Sequence, residues 1–317
     1  MATRYQGTST ARGDLLPIAS AFAETYGEGD GSLYVGAKAA SILPLSLGSE
    51  SVAVPNASFY QHSDTAAQAF SFKRNPGSAF AQSDPASYTT LDFNCQDVGM
   101  EHVYDMSASL VKNQLAYGGM AAVEQAHLQQ SVSYMLQGLD KVVADAVATT
   151  NPWDATVVDA SGAQWSTVST DIFALHITQA LINVDLPMDS ILMSWKAYQY
   201  LAANTTLNDR YGGQPGQGRH NPEGVLGALA TAGITNLYVG STAKYGAYVT
   251  LFNRGGGSAD VDAGSIVMGV VRGEDSDENG MSVYTRDIDA RRKAVVAYTH
   301  ADVQLVTANG VQIHSVY

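Results

Sequence analysis

The sequence predicts an α+β protein, and three observations carry that expectation. Residues 119–150 repeat apolar side chains at helical spacing over an unusual length. A compact stretch after them alternates helical and strand-like patterns, and the last third, from Gly246 on, is a succession of strand-like runs.

The totals bound the class. A chain of 317 residues can form a large core or two domains. With 45% apolar and 15% charged residues and 30 glycines, it is globular and somewhat strand-rich rather than disordered. Thirty acids against 17 bases leave a net charge of −13, spread along the chain. No basic stripe is present of the kind that releases counterions from DNA, which argues against sequence-independent nucleic-acid binding. Cys95 is the only cysteine, so an intrachain disulfide and a thiolate zinc site are both excluded. It reads as a small buried hydrophobe in the strand-like "TLDFNCQDV". The start, "MATRYQGTST", lacks the apolar core of a signal peptide, and the apolar run "AASILPLSL" is broken by Pro44. The expectation is a chain made and kept in the cytoplasm, with no membrane span.

Taken in order, residues 1 to about 55 show little periodicity and read as an extended arm. "QAFSFKRN" and "SYTTLDFNCQDVGMEHVY" read as two strands joined by "PGSAFAQSDPA", a long finger. Two strands alone bury little, so the finger needs a surface to lie on. In 119–150, Met120, Val123, Leu128, Val132, Met135, Leu139, Val142 and Ala146 share one helical face until Asn151-Pro152 ends it. Such a helix is about 45 Å long. His127, Gln129 and Gln130 leave its other side in solvent. "WDATVVDASGAQWS" reads as loop and turn, and Thr170–Val184 as a helix capped by Ser169 or Thr170. Next come the strand "SILMSW", the helix "KAYQYLAAN", a Gly-rich loop over 209–224, a helix stopped by Gly233, and the strand "NLYVG". Five strand segments close the chain: "GAYVTLFN", "SIVMGVV", "MSVYTRDI", "KAVVAYTHADVQLV" and "GVQIHSVY".

The motifs that could carry chemistry are weak. In "GEDSDENGMS", Asp275, Asp277, Asn279 and Gly280 stand where a calcium loop has its ligands and glycine. The twelfth position, however, is Arg286, and the flanks are strands, so two strands meeting at a solvated turn is the reading. "STAK", Ser241 to Lys244, matches S-x-x-K without the S-D-N and K-T-G that accompany it in penicillin-recognising enzymes. "GGQPGQG", 212–218, lacks the Lys-Ser/Thr ending of a phosphate loop and reads as a surface loop. "RGD", Arg12 to Asp14, is too short to mean anything alone. The seven histidines show no H-x-H or H-x-x-x-H pair, and no G-x-S-x-G elbow occurs. No catalytic, cofactor-binding or metal-binding residue is expected, and the chain is not expected to be an enzyme.

The order of elements, with "MSWKAYQYLAANTTLNDRYG" and "GVLGALATAGITNLYVGSTAKYG", resembles the tailed-phage major capsid proteins of the Hong Kong 97 type. Trp195, Leu201, Asn208, Arg210, Leu229, Gly233, Ile234, Leu237, Val239 and Gly240 fit that family's run of residues, and "YTRDIDARRKAVVAYTHADVQLV" is similar to its closing hairpin. The resemblance implies an N-terminal arm over 1–60. It then implies an extended β loop (about 68–98) with a spine-helix peripheral domain over 61–165, an axial domain over 166–286, and return strands over 287–317. It also implies a virion shell, assembled in the host cytoplasm from hexamers and pentamers, that encloses double-stranded DNA without sequence-specific binding. Portal, scaffolding and decoration proteins are the implied partners. The arm reads as short and non-helical, unlike a long coiled-coil scaffolding segment. Lys73 and Arg74, the only bases between Lys38 and Lys112, are the expected inter-subunit contacts. Lys73 has no matching Asn motif, so covalent cross-linking is not expected. Two alternatives stay open: an encapsulin-like compartment of the same fold with protein cargo, and a soluble hydrolase with a scattered active site.

Overall fold

In the computed structural model the described residues are 9–25, 37–47, 49–52, 56–62, 88–105, 119–149, 152–153, 157–184, 187–207, 222–254, 264–277, 280–289, 291–306 and 310–317. Strand β1 (Ser9–Ala11) leads into helix α1 (Leu16–Thr25), which corrects the expectation of a non-helical arm. Leu15, Ala19 and Ala23 recur at helical spacing and are buried in the core that contains the long helix. Two of the three are alanines, which is why the stripe does not read as an apolar face. Next come β2 (Lys38–Ala39), a 3-10 turn at Ala40–Ile42, α2 (Leu43–Ser46) and β3 (Ser49–Val52).

The finger starts earlier than expected. Strand β4 (Asn56–His62) pairs antiparallel with β5 (Tyr88–Asn94), so residues assigned to the arm belong to this ladder, and 63–87 lie outside the described residues. Strand β6 (Gln96–Asp105) continues past a break at Cys95, which is buried with Phe93, Val267 and Val306.

The spine helix α3 spans Gly119–Val147. Val123, Leu128, Val132, Met135 and Leu139 are buried as expected, but Val142 and Ala146 are only half-buried. Val143, Ala144 and Val147 take their place, because a straight helix drifts against a seven-residue repeat over this length. The stretch expected to be loop and turn holds β7 (Val158–Asp159) and two fully buried tryptophans, Trp153 and Trp165.

A π-helical turn, Phe173–Ile177, runs into Thr178–Ile182 to make α4. Its first turn is held by Asp171, whose carboxylate accepts the Ala174 N–H at 3.1 Å, rather than by Ser169 or Thr170. There follow β8 (Ser190–Ser194), α5 (Trp195–Ala202), α6 (Pro222–Ala230), β9 (Asn236–Gly240), α7 (Thr242–Tyr245) and β10 (Val249–Phe252). The chain closes with β11 (Ile266–Val271), β12 (Met281–Asp287), β13 (Arg292–Leu305) and β14 (Gly310–His314).

The strands form two six-stranded sheets. The first runs β1-β12-β13-β11-β3, with β6 along the other side of β13, and α3 packs on it. The second runs β2-β9-β8-β10-β14-β7. Its Ile191, Met193, Leu237, Val239, Val249 and Leu251 face α4, α5 and α6, while Leu192, Tyr238 and Phe252 join the core around the spine. The sheets therefore cut the chain differently from the boundaries expected at 165/166 and 286/287. Strands β11 and β12 belong with the spine, and β14 returns to the second sheet. Nor do β11 and β12 pair as a hairpin. Both run antiparallel to β13, end to end along one side of it, with Val270 opposite Ala301 and Met281 opposite Thr299.

Candidate functional site

Lys73 and Arg74 lie outside the described residues, as does the loop 212–218. The acidic turn is partly as expected. Asp275 is exposed, but the Asp277 carboxylate accepts the Met281 N–H and the Ser20 hydroxyl, each at 2.8 Å, and so ties the turn to α1. Gly280, at φ +72°, closes the turn in a conformation that L side chains disfavour. Among the described residues, no group of three or more His, Cys, Asp or Glu side chains is placed to hold a metal ion.

The most connected polar site was not anticipated from sequence. Asp140 sits on the buried side of α3 between Leu139 and Val143, with only 5% of its surface exposed. An acid this deep needs partners, and helix α7, just after β9, supplies them. Tyr245 donates its hydroxyl to Asp140 Oδ1 at 2.6 Å, and the Lys244 ammonium pairs with Oδ2. Lys244 Nζ also donates to the Gln137 carbonyl at 3.0 Å. Burial, then the Asp140 charge, pushes the Tyr245 phenol well above its ordinary range, so it stays a donor. Gly240 makes room for the ring, since a Cβ there would lie 2.1 Å from Tyr245 Cε2.

This geometry disposes of the S-x-x-K reading. Ser241 caps α7 by accepting the Lys244 N–H at 3.3 Å, while the ammonium is held against the spine by Asp140. The lysine is thus a fixed cation and not a base for the serine. Two turns beyond, Gln312 donates to the Val147 carbonyl at 2.6 Å, a second tie between the spine and the second sheet.

The other half of the spine is tied to the first sheet. Ser131 stands between β6 and β13 where Met100 opposes Ala297; it accepts the Ala297 N–H at 2.8 Å and donates to the Met100 carbonyl at 3.0 Å. His127 stacks between His102 and Tyr104, each at 4.8 Å, and burial together with His102 lowers its pKa. Arg12 of the RGD triplet is engaged, with Asp14 at 2.7 Å and Glu124 of the spine at 2.8 Å. The arrangement contains fixed charges and filled hydrogen bonds, and it holds three layers in register.

Solved structures share this architecture. A phage-related protein from Bordetella bronchiseptica superposes with a TM-score of 0.65 at 15% identity, over 95% of this chain and 96% of its own. The virus-like particle from Pyrococcus furiosus matches with a TM-score of 0.50 at 9% identity, over 95% and 98%. The SrpI encapsulin of Synechococcus elongatus matches with 0.51 at 12% identity, over 84% of each chain. No family model and no curated protein matches the sequence. The chain has the α+β phage capsid fold of the Hong Kong 97 type.

Proposed function

We propose that this chain is the major capsid protein of a tailed phage, the repeating subunit of an icosahedral shell around double-stranded DNA. The observation that carries the reading is the superposition on a phage-related protein over nearly the whole length of both chains. The acidic balance supports it, because packed DNA slides along a negative wall instead of adhering to it. In this reading the spine helix and the first sheet make up a peripheral domain, and the second sheet with α4, α5 and α6 an axial domain. Purified protein should elute as capsomers or shells on size exclusion, and shells isolated from an infected or lysogenic host should hold nuclease-protected DNA. A small oligomer at every concentration would overturn the reading.

Likeness to the SrpI encapsulin favours a second reading, a compartment of the same fold with protein cargo. Shell contents separate the two. Lys73 and Arg74 are proposed to meet carboxylates of a neighbouring subunit in either case. Reversing both to Glu should leave the circular dichroism unchanged and slow assembly, with added salt lessening the defect. Assembly of the double variant at the wild-type rate in low salt would remove these residues from the contact.

A further inference from the structure

The 25 residues from Ala160 to Val184 contain one charged residue, Asp171, where the chain-wide 15% would give about four. That carboxylate faces its own helix, accepting the Ala174 N–H at 3.1 Å. Helix α4 buries Phe173, His176, Ile177 and Ala180 and turns Leu175, Thr178, Gln179 and Ile182 outward, at i, i+3, i+4 and i+7. Leu175 is 50% exposed and Ile182 67%, and Val168 in the preceding turn is 47% exposed. Among the described residues the surface continues onto uncharged groups, where the Val168 carbonyl accepts the Thr205 hydroxyl at 2.9 Å and the Asn204 side-chain amide at 3.1 Å.

From this we infer that the outer face of α4, with Val168, is a contact surface for a second copy of this chain. The inference rests on the shell reading and specifies one of its contacts. Charge selects the occupant. Two copies each carrying −13 repel wherever their acidic surfaces meet, and a charge-free apolar face is where they can approach without that cost. A basic foreign partner would be drawn to the acidic surfaces instead. The other exposed large apolar side chains among the described residues, Met100 and Val103, sit on β6 among Asp97, Glu101 and Asp105 and lack this property. Depletion of charge around exposed aliphatic side chains marks the core of protein interfaces.

The test is Leu175→Glu with Ile182→Glu, read by light scattering after size exclusion and by negative-stain microscopy. Both side chains are at least half exposed, so the melting temperature should hold while the assembled peak is lost. Thr178→Glu adds charge to the same face without removing an apolar group and should also lose assembly. If wild type forms shells and the folded variants form them equally well, the inference fails and the shell reading stands. If wild type stays monomeric at the highest concentrations reached, both fail together.

Discussion

Along β12 of the first sheet, buried Met281 and Val283 alternate with half-exposed Ser282 and Tyr284, whereas β8 and β10 of the second sheet are buried at every residue. The first sheet has the spine on one face; on the other, β11 buries Val267 with Phe93 and Cys95, while β12 and β6 carry half-buried and exposed polar side chains. There Arg286 donates to both carboxylate oxygens of Glu101, from Nε at 2.9 Å and from Nη2 at 2.7 Å, and His300 pairs with Asp97. The second sheet lies between its own helices and the spine's core, so both faces carry aliphatic side chains. A polar sheet face tolerates charge, while a sheet covered on both faces confines it to edge strands, as at Lys38 and Asp159. Where the two regions meet, the polar groups concentrate in one buried cluster, Asp140 with Lys244 and Tyr245.

The largest expected effect breaks that junction. Asp140→Ala strands a lysine and a buried phenol and should cost about 3–5 kcal/mol in urea unfolding. Combined with Tyr245→Phe, it should cost less than the sum of the single variants, since both remove one interaction. A loss below about 1 kcal/mol would mean that this carboxylate does not join the regions. Within the spine, Leu139→Ala leaves a cavity and should cost about 2–5 kcal/mol.

Acid should act on both regions. Burial lowers the pKa of His127 on the spine and of His176 and His314 in the second region. His176 is also held as an acceptor, its Nδ1 taking the Trp165 indole N–H at 3.1 Å. The unfolded chain therefore binds more protons than the folded one near neutrality, and stability rises with pH. It should be complete above about pH 6.5 and decline as pH falls below the unfolded value. His127→Gln and His176→Gln should each flatten the decline in urea midpoint between about pH 7 and 5. A wild-type midpoint that is constant over that interval would contradict the assignment. The smallest effect is expected at Gln130, exposed on the spine and bonded to Tyr134, where Ala should change stability by less than about 0.5 kcal/mol. Equal losses at Gln130 and Leu139 would mean that the buried face is misplaced.

Much of the fold is legible in the sequence because helix and strand periodicity is written within a few neighbouring residues. Strands β8 to β14, the spine and the stop at Gly233 follow from such local patterns, as does the order of elements that carries the family resemblance. Helix α1 is less legible, since its buried stripe is built largely from alanine. Asp140 could have been flagged as an acid inside an apolar helical face, but its partners, 104 and 105 residues away, could not. The same holds for Ser131 between β6 and β13, and for β11 and β12 joining the spine's sheet while β14 joins the other. Local spacing determines which segments become helices and strands; which strands share a sheet, and which buried charge finds its counter-ion, is decided by packing between segments far apart in the chain.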